Sequence, residues 1–177
     1  MTGMRFVASF GLTLGLLAAR VAGGETPGPS CIGGQVEVTV SLRYDERTLG
    51  DVAGLFLQVG YPEGVSVPGK GTDASVRERI TSLLDPKFRL VSTDEDGDGG
   101  EDRLRILLVA PAKEPLPSAP IARIRFDCEK PPKAGAFRCT TDQVADGAGQ
   151  LLRDREAKQV ACDVAFAAPS GQPAAAR

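Results

Sequence analysis

From Gln35 onward the chain alternates, with Val36, Val38, Val40 and Leu42 on one side of an extended backbone and Glu37, Thr39 and Ser41 on the other. A period of two carried by β-branched residues predicts a half-buried strand. Arg43 to Asp51 reads as a polar connection, and a second strand follows with Leu55, Leu57, Val59 and Tyr61 on one face and Phe56, Gln58 and Gly60 opposite. Pro62-Glu63-Gly64 ends it, because proline lacks the ladder donor and glycine permits a tight turn. Val65 and Val67 suit a short strand before Pro68-Gly69. Further strands are expected at 88–92, 103–110 and 121–128, then from Phe137 through Cys139 and Thr141, and finally over 160–166. One segment departs from this period. Val76, Ile80, Leu83 and Leu84 recur at helical spacing between Asp73, a capping residue, and Pro86, so a short helix is expected within 73–85, across one end of the sandwich. Many short strands separated by turn signals predict an all-β fold, an antiparallel two-sheet β-sandwich with one short helix.

The N-terminus follows a different rule. Arg5 precedes an apolar and small-residue run over 6–19, with small residues at Ala22, Gly23 and Gly24. Fourteen residues fall short of the ~20 a spanning helix needs, which predicts a cleavable signal peptide. The expected layout is a signal peptide over 1–24, a linker over 25–34, the sandwich over 35–167 and a disordered tail over 168–177. The mature chain is expected to be secreted, extracellular or periplasmic, with no membrane span after cleavage. All four cysteines, Cys31, Cys128, Cys139 and Cys162, follow the signal, and an exported chain with four cysteines implies two disulfides with three possible pairings.

Composition narrows the chemistry. The chain has no His and no Trp, so Ser-His-Asp and Cys-His nucleophile systems and the usual His-containing zinc sites cannot be assembled. Carboxylate pairs exist, but all lie in polar turns with no apolar setting to tune them for glycoside hydrolysis. A noncatalytic protein is expected. A net charge of −2 without a long Lys/Arg run argues against nucleic acid. The richest chemistry is the acidic segment Asp94 to Asp102. Asp94, Asp96 and Asp98 at alternate positions, then Gly99, match the front of a calcium loop, with Asp102 at position nine. Position twelve is Arg105 in place of a bidentate glutamate, which excludes an EF-hand. Two readings stay open, a calcium-binding hairpin loop using Asp94, Asp96, Asp98 and Asp102, and a solvated acidic hairpin tip. Sugar platforms rely on flat aromatic faces, and beyond the signal there are five Phe and two Tyr.

Four segments resemble the cohesin family, the jelly-roll modules of the cohesin and carbohydrate-binding superfamily in secreted bacterial proteins. Val36-Glu-Val-Thr-Val40 is similar to the family's first strand, and Val52-Ala-Gly-Leu-Phe-Leu-Gln-Val-Gly-Tyr-Pro62 resembles its strand and turn, although Gly60-Tyr61-Pro62 lacks the family's Asp. Pro120-Ile-Ala-Arg-Ile-Arg-Phe126 resembles a later strand, and the 160–166 strand follows an Asp-x-x-Gly turn as the closing strand of that family does. The resemblance implies a noncatalytic module that binds an extracellular protein, dockerin-like or other, or mediates adhesion; a polysaccharide-binding module is the second reading and a structural envelope component the third. It also implies a binding face carrying Phe56, Gln58, Arg103, Arg105 and Leu107. The competing reading packs Phe56 under the helix or a loop. For the cysteines, Cys128 and Cys139 flank a short Pro-Pro loop and are expected to pair. The family's side-by-side, parallel first and last strands then imply Cys31 with Cys162; the rival, Cys139 with Cys162, is taken to need neighbouring strands of one sheet.

Overall fold

A computed structural model describes residues 30–94, 102–112 and 114–166. Among them, β1 (Gln35–Arg43) pairs antiparallel with β7 (Pro120–Cys128) on one side and β9 (Ala161–Phe166) on the other. β3 (Val65–Ser66) and β4 (Ile80–Ser82) both add to β7, completing a five-stranded sheet. The second sheet runs β5 (Arg89–Asp94), β6 (Asp102–Val109), β2 (Val52–Tyr61), β8 (Arg138–Asp146), again antiparallel. The result is the expected two-sheet all-β sandwich. The expected parallel arrangement of first and last strands is corrected: β1 and β9 are neighbours, but antiparallel, with Val38 opposite Phe166 and Leu42 opposite Cys162.

Alternation decides which atoms meet between the layers. Val36, Val38, Val40 and Leu42 of β1 are buried against the inward row Leu55, Leu57, Val59 and Tyr61 of β2, with Leu104, Ile106 and Leu108 of β6 and Ile124 and Phe126 of β7 completing the core. Burying each such side chain contributes roughly 1.5–3 kcal/mol. A relay of aromatic rings crosses the core, with Tyr61–Phe126, Phe126–Phe137 and Phe137–Phe166 centroids 5.0, 5.1 and 5.6 Å apart, tilted or edge-on as ring quadrupoles favour.

The helix expected over 73–85 is corrected to α2 (Ala74–Glu78), which with α1 (Glu46–Leu49) and α3 (Asp154–Ala157) makes three short helices among the described residues. Val76 is the buried residue of α2. Beyond it the chain becomes β4, with Ile80 opposite Ile124 and Thr81 opposite Arg123. The backbone N–H of Arg125 donates to the Arg79 carbonyl, and that of Leu83 to the Ile121 carbonyl, both at 2.9 Å. Two β-branched residues beside the open edge of β7 gain a ladder that a second helical turn would forgo. Helix α1 interrupts the polar connection after β1. Asp45 caps it, accepting from the Arg47 N–H at 3.0 Å and the Thr48 hydroxyl at 2.9 Å. These bonds, Thr48 first, hold the Asp45 carboxyl below the usual range.

The disulfides join Cys31 to Cys128 and Cys139 to Cys162, with Cα atoms 6.1 and 5.5 Å apart. Both expected pairs, Cys128–Cys139 and Cys31–Cys162, are therefore corrected. Cys31 is turned back by Gly33-Gly34, whose φ values of 60° and 77° close a two-residue turn between Ile32 and Gln35. Gly34 accepts from the Cys128 N–H at 2.8 Å, so the turn delivers Cys31 to the end of β7. Cys139 and Cys162 lie in different sheets, opposite Val59 and Leu42 respectively. Their strands are both sheet edges, so two inward side chains meet where the layers converge. A bond between them requires no shared sheet. Beside it the Thr141 hydroxyl donates to the Val160 carbonyl at 2.9 Å. Bridges of this kind form and persist in oxidising compartments. Among the described residues no helix is long and apolar enough to cross a membrane.

Non-reducing peptide mapping should recover fragments linking Cys31 to Cys128 and Cys139 to Cys162; a Cys128–Cys139 fragment would contradict this fold. For sequence separations of 97 and 23 residues the chain-entropy model gives about 4.7 and about 3.4 kcal/mol, so the Cys31→Ala/Cys128→Ala variant should be the less stable of the two double variants in urea unfolding. Tyr44 supplies a pH signature. Its hydroxyl donates to the Leu116 carbonyl, and its phenol is pushed up to about 12 by burial first, then by Glu46 and Asp51. A folded-state value above the ordinary one near 10 means the neutral phenol stabilises the fold; that contribution is complete below about pH 10 and lost as pH rises through about 12. The stability advantage of the native chain over Tyr44→Phe should accordingly shrink in urea titrations between pH 9 and 11.5.

Candidate functional site

The outward residues of the four-stranded sheet stand in rows fixed by register. One row runs Val91, Leu107, Phe56, Gln143; the next Thr93, Arg105, Gln58, Thr140; and a third places Gly60 between Arg103 and Arg138. On the other side of the Phe56 row, Arg89, Val109, Gly54 and Ala145 stand abreast. The structure thus brings Phe56, Gln58, Arg103, Arg105 and Leu107 together on one solvent-facing surface. Phe56 is 39% exposed, with Val91 at 48% and Val109 at 40%; among the described residues it packs under no helix or loop.

A β-bulge shapes this surface. Phe56 is opposite Gln143 but Leu57 is opposite Thr141, leaving Asp142 as the extra residue of β8. Asp142 is exposed and accepts from the Gln58 amide, so Gln58 is held in place by its neighbour. Towards the Gly60 end lies an open cavity of about 520 Å³, lined by Gln58, Gly60, Pro62, Arg103, Arg138 and Thr140 among others. A Cβ placed on Gly60 would meet nothing closer than the Arg138 carbonyl at 4.0 Å, so the floor between the two arginines is open.

The outer face of the five-stranded sheet differs. Glu37 lies 3.9 Å from Arg123, Asp127 lies 2.8 Å from Arg79, and Asp163 pairs with Arg43. Its outward rows carry charge, hydroxyls and, on β9, the small Ala161 and Ala165, and the exposed large apolar side chains of the described residues include none from them.

Of the candidate calcium ligands, Asp96 and Asp98 lie outside the described residues, as does the side chain of Asp94. Asp102 opens β6 opposite Tyr61, on the inward row, and is only 9% exposed. Among the described residues no three His, Cys, Asp or Glu side chains gather to hold a metal ion. A second cavity, of about 420 Å³, is lined by Asp51, Glu114 and Asp146. Its carboxylates are engaged elsewhere in part: Asp146 accepts from the N–H groups of Ala148 and Gln150, both at 2.9 Å, and Glu114 pairs with Lys87.

Val91, Val109, Arg138, Thr140 and Asp142 also belong to the surface and were not anticipated from the sequence. The alternation Arg138-x-Thr140 in a strand opening at Phe137 was the available signal for two of them. Placing them beside Phe56 and Gly60 required the register.

The two faces of β2 should separate in stability measurements. Leu57→Ala removes a fully buried side chain and should cost roughly 2–5 kcal/mol in chemical unfolding. Phe56→Ala, one position along, should cost about 1 kcal/mol; equal losses would refute the assignment of faces. In comparisons with known proteins, no family model, curated protein or solved structure matches the chain.

Proposed function

We propose that the chain is an exported, noncatalytic binding module of cohesin-like type that docks a protein on the outer face of its four-stranded sheet. The observation carrying this reading is the contrast between the sandwich faces. One outward surface is laced by ion pairs, whereas the other presents Val91, Leu107 and Phe56 in one row beside arginine-bearing rows. An exposed apolar cluster rimmed by polar groups is what a protein interface requires. Export is supported by the signal-like N-terminus and by the two disulfides. A lack of histidine supports a noncatalytic role. The polysaccharide alternative is less well supported, because Tyr61 is buried, Tyr44 is occupied with Leu116, and Phe56 is the one ring among these three set on this surface.

The test is capture from the producing organism's secretome on the immobilised chain, run beside Phe56→Asp and Arg123→Gln variants and a glycan array. A protein retained by the native chain and by Arg123→Gln but lost with Phe56→Asp is the expected result. Glycan binding abolished by Phe56→Asp, with no protein partner, would replace this reading with the polysaccharide one.

A further inference from the structure

The end of this face around Gly60 has a chemistry of its own. Gly60 of β2 is flanked in register by Arg103 on β6 and Arg138 on β8. Both arginines are exposed, and among the described residues neither has an ion-pair partner. The glycine leaves the space between them clear down to the sheet, and the cavity of about 520 Å³ opens there, with Gln58 and Thr140 along the adjoining row and the nearly buried Asp102 and Tyr61 also in its lining. Two guanidiniums across an open floor form a site for a small planar anion, since each can present a fork of parallel N–H donors to a carboxylate.

We infer that this notch receives an acidic side chain from an extended segment of the protein partner, with an apolar residue of that segment on the Phe56 row. The inference rests on the docking face proposed above and names its ligand chemistry. The apolar row makes a protein segment the better fit than an acidic glycan: Gly60 and Phe56 are four residues apart on one strand, ~13 Å at the rise of a β-strand. A segment lying along β2 therefore places a carboxylate in the notch and an apolar group on Phe56 when those residues are themselves four apart. Asp142 lies on the path between, already accepting from Gln58, and disfavours a second acidic residue midway.

The experiment is NMR titration of the ¹⁵N-labelled chain with a pentapeptide amide carrying glutamate first, leucine last and serines between. Saturable shifts are expected at the amides of Gly60, Arg103, Arg138 and Phe56, with affinity weakened about tenfold or more in an Arg103→Gln/Arg138→Gln variant whose remaining spectrum is unchanged. Equal binding of the peptide with glutamine in place of glutamate would overturn the carboxylate site. So would an absence of shifts, or an oligogalacturonate saturating the same amides while the peptide moves none. A secretome partner still captured by Arg103→Gln/Arg138→Gln but lost with Phe56→Asp would overturn the notch while leaving the protein-docking reading intact.

Discussion

The period of two along β2 constrains more of this protein than any single contact. β2 is interior to its sheet, paired on both sides, so its backbone groups are committed to β6 and β8. Its side chains then have only two destinations. Leu55, Leu57, Val59 and Tyr61 face β1 and β7 across the core, and Gly54, Phe56, Gln58 and Gly60 face solvent. A slip of one residue would send Phe56 inward and Leu57 outward along with every neighbour in the row. The core's stability is therefore what holds the composition of the outer face in place.

The sandwich must also be closed along its sides, where an edge strand exposes unpaired backbone groups. On one side β8 and β9 end different sheets, and the Cys139–Cys162 bond and the Thr141 hydroxyl tie them together. On the other side α2 lies next to β5 and β4, with Val76 buried beneath it. Cys31–Cys128 then fixes the segment entering β1. Each sheet is thereby held to its partner at its margins, and the exposed residues of β2 stand on a strand paired on both sides.

Strands whose residues alternate cleanly, such as Val36 to Leu42 and Ile124 to Cys128, were legible because burial on one side is written directly into residue type. Ile80 was misread for a specific reason. Its spacing from Val76 and Leu84 is helical, yet the open edge of β7 offered its backbone partners that no local pattern reveals. The cysteine pairing is hidden for a related reason: Gly33-Gly34 falls within what reads as a linker, although two adjacent glycines before a strand are a signal for a two-residue turn. Bonded cysteines need no neighbouring strands where the edges of two sheets converge, as β8 and β9 do. Five residues of the surface, Phe56, Gln58, Arg103, Arg105 and Leu107, follow from the cohesin resemblance. Arg138 does not, because its place across Gly60 from Arg103 depends on the register of β8 and on a bulge at Asp142.

The arrangement of charge on this face bears on what can bind it. Apolar contact on Val91, Leu107 and Phe56 would favour many partners about equally, since burial of apolar area is non-directional. The arginines change that. A partner that covers Arg103 and Arg138 with apolar or basic groups removes water from two guanidiniums and returns nothing, a loss of several kcal/mol per buried charge. One that brings a carboxylate recovers that loss through short, directional hydrogen bonds. On the proposed reading, affinity and selection would be divided between two rows of one sheet with the Gln58 row between them, the Phe56 row supplying area and the Gly60 row rejecting what lacks an acid. Such a division would also limit indiscriminate association through the exposed apolar residues, because each is within a few residues of a charge that must stay hydrated or be matched.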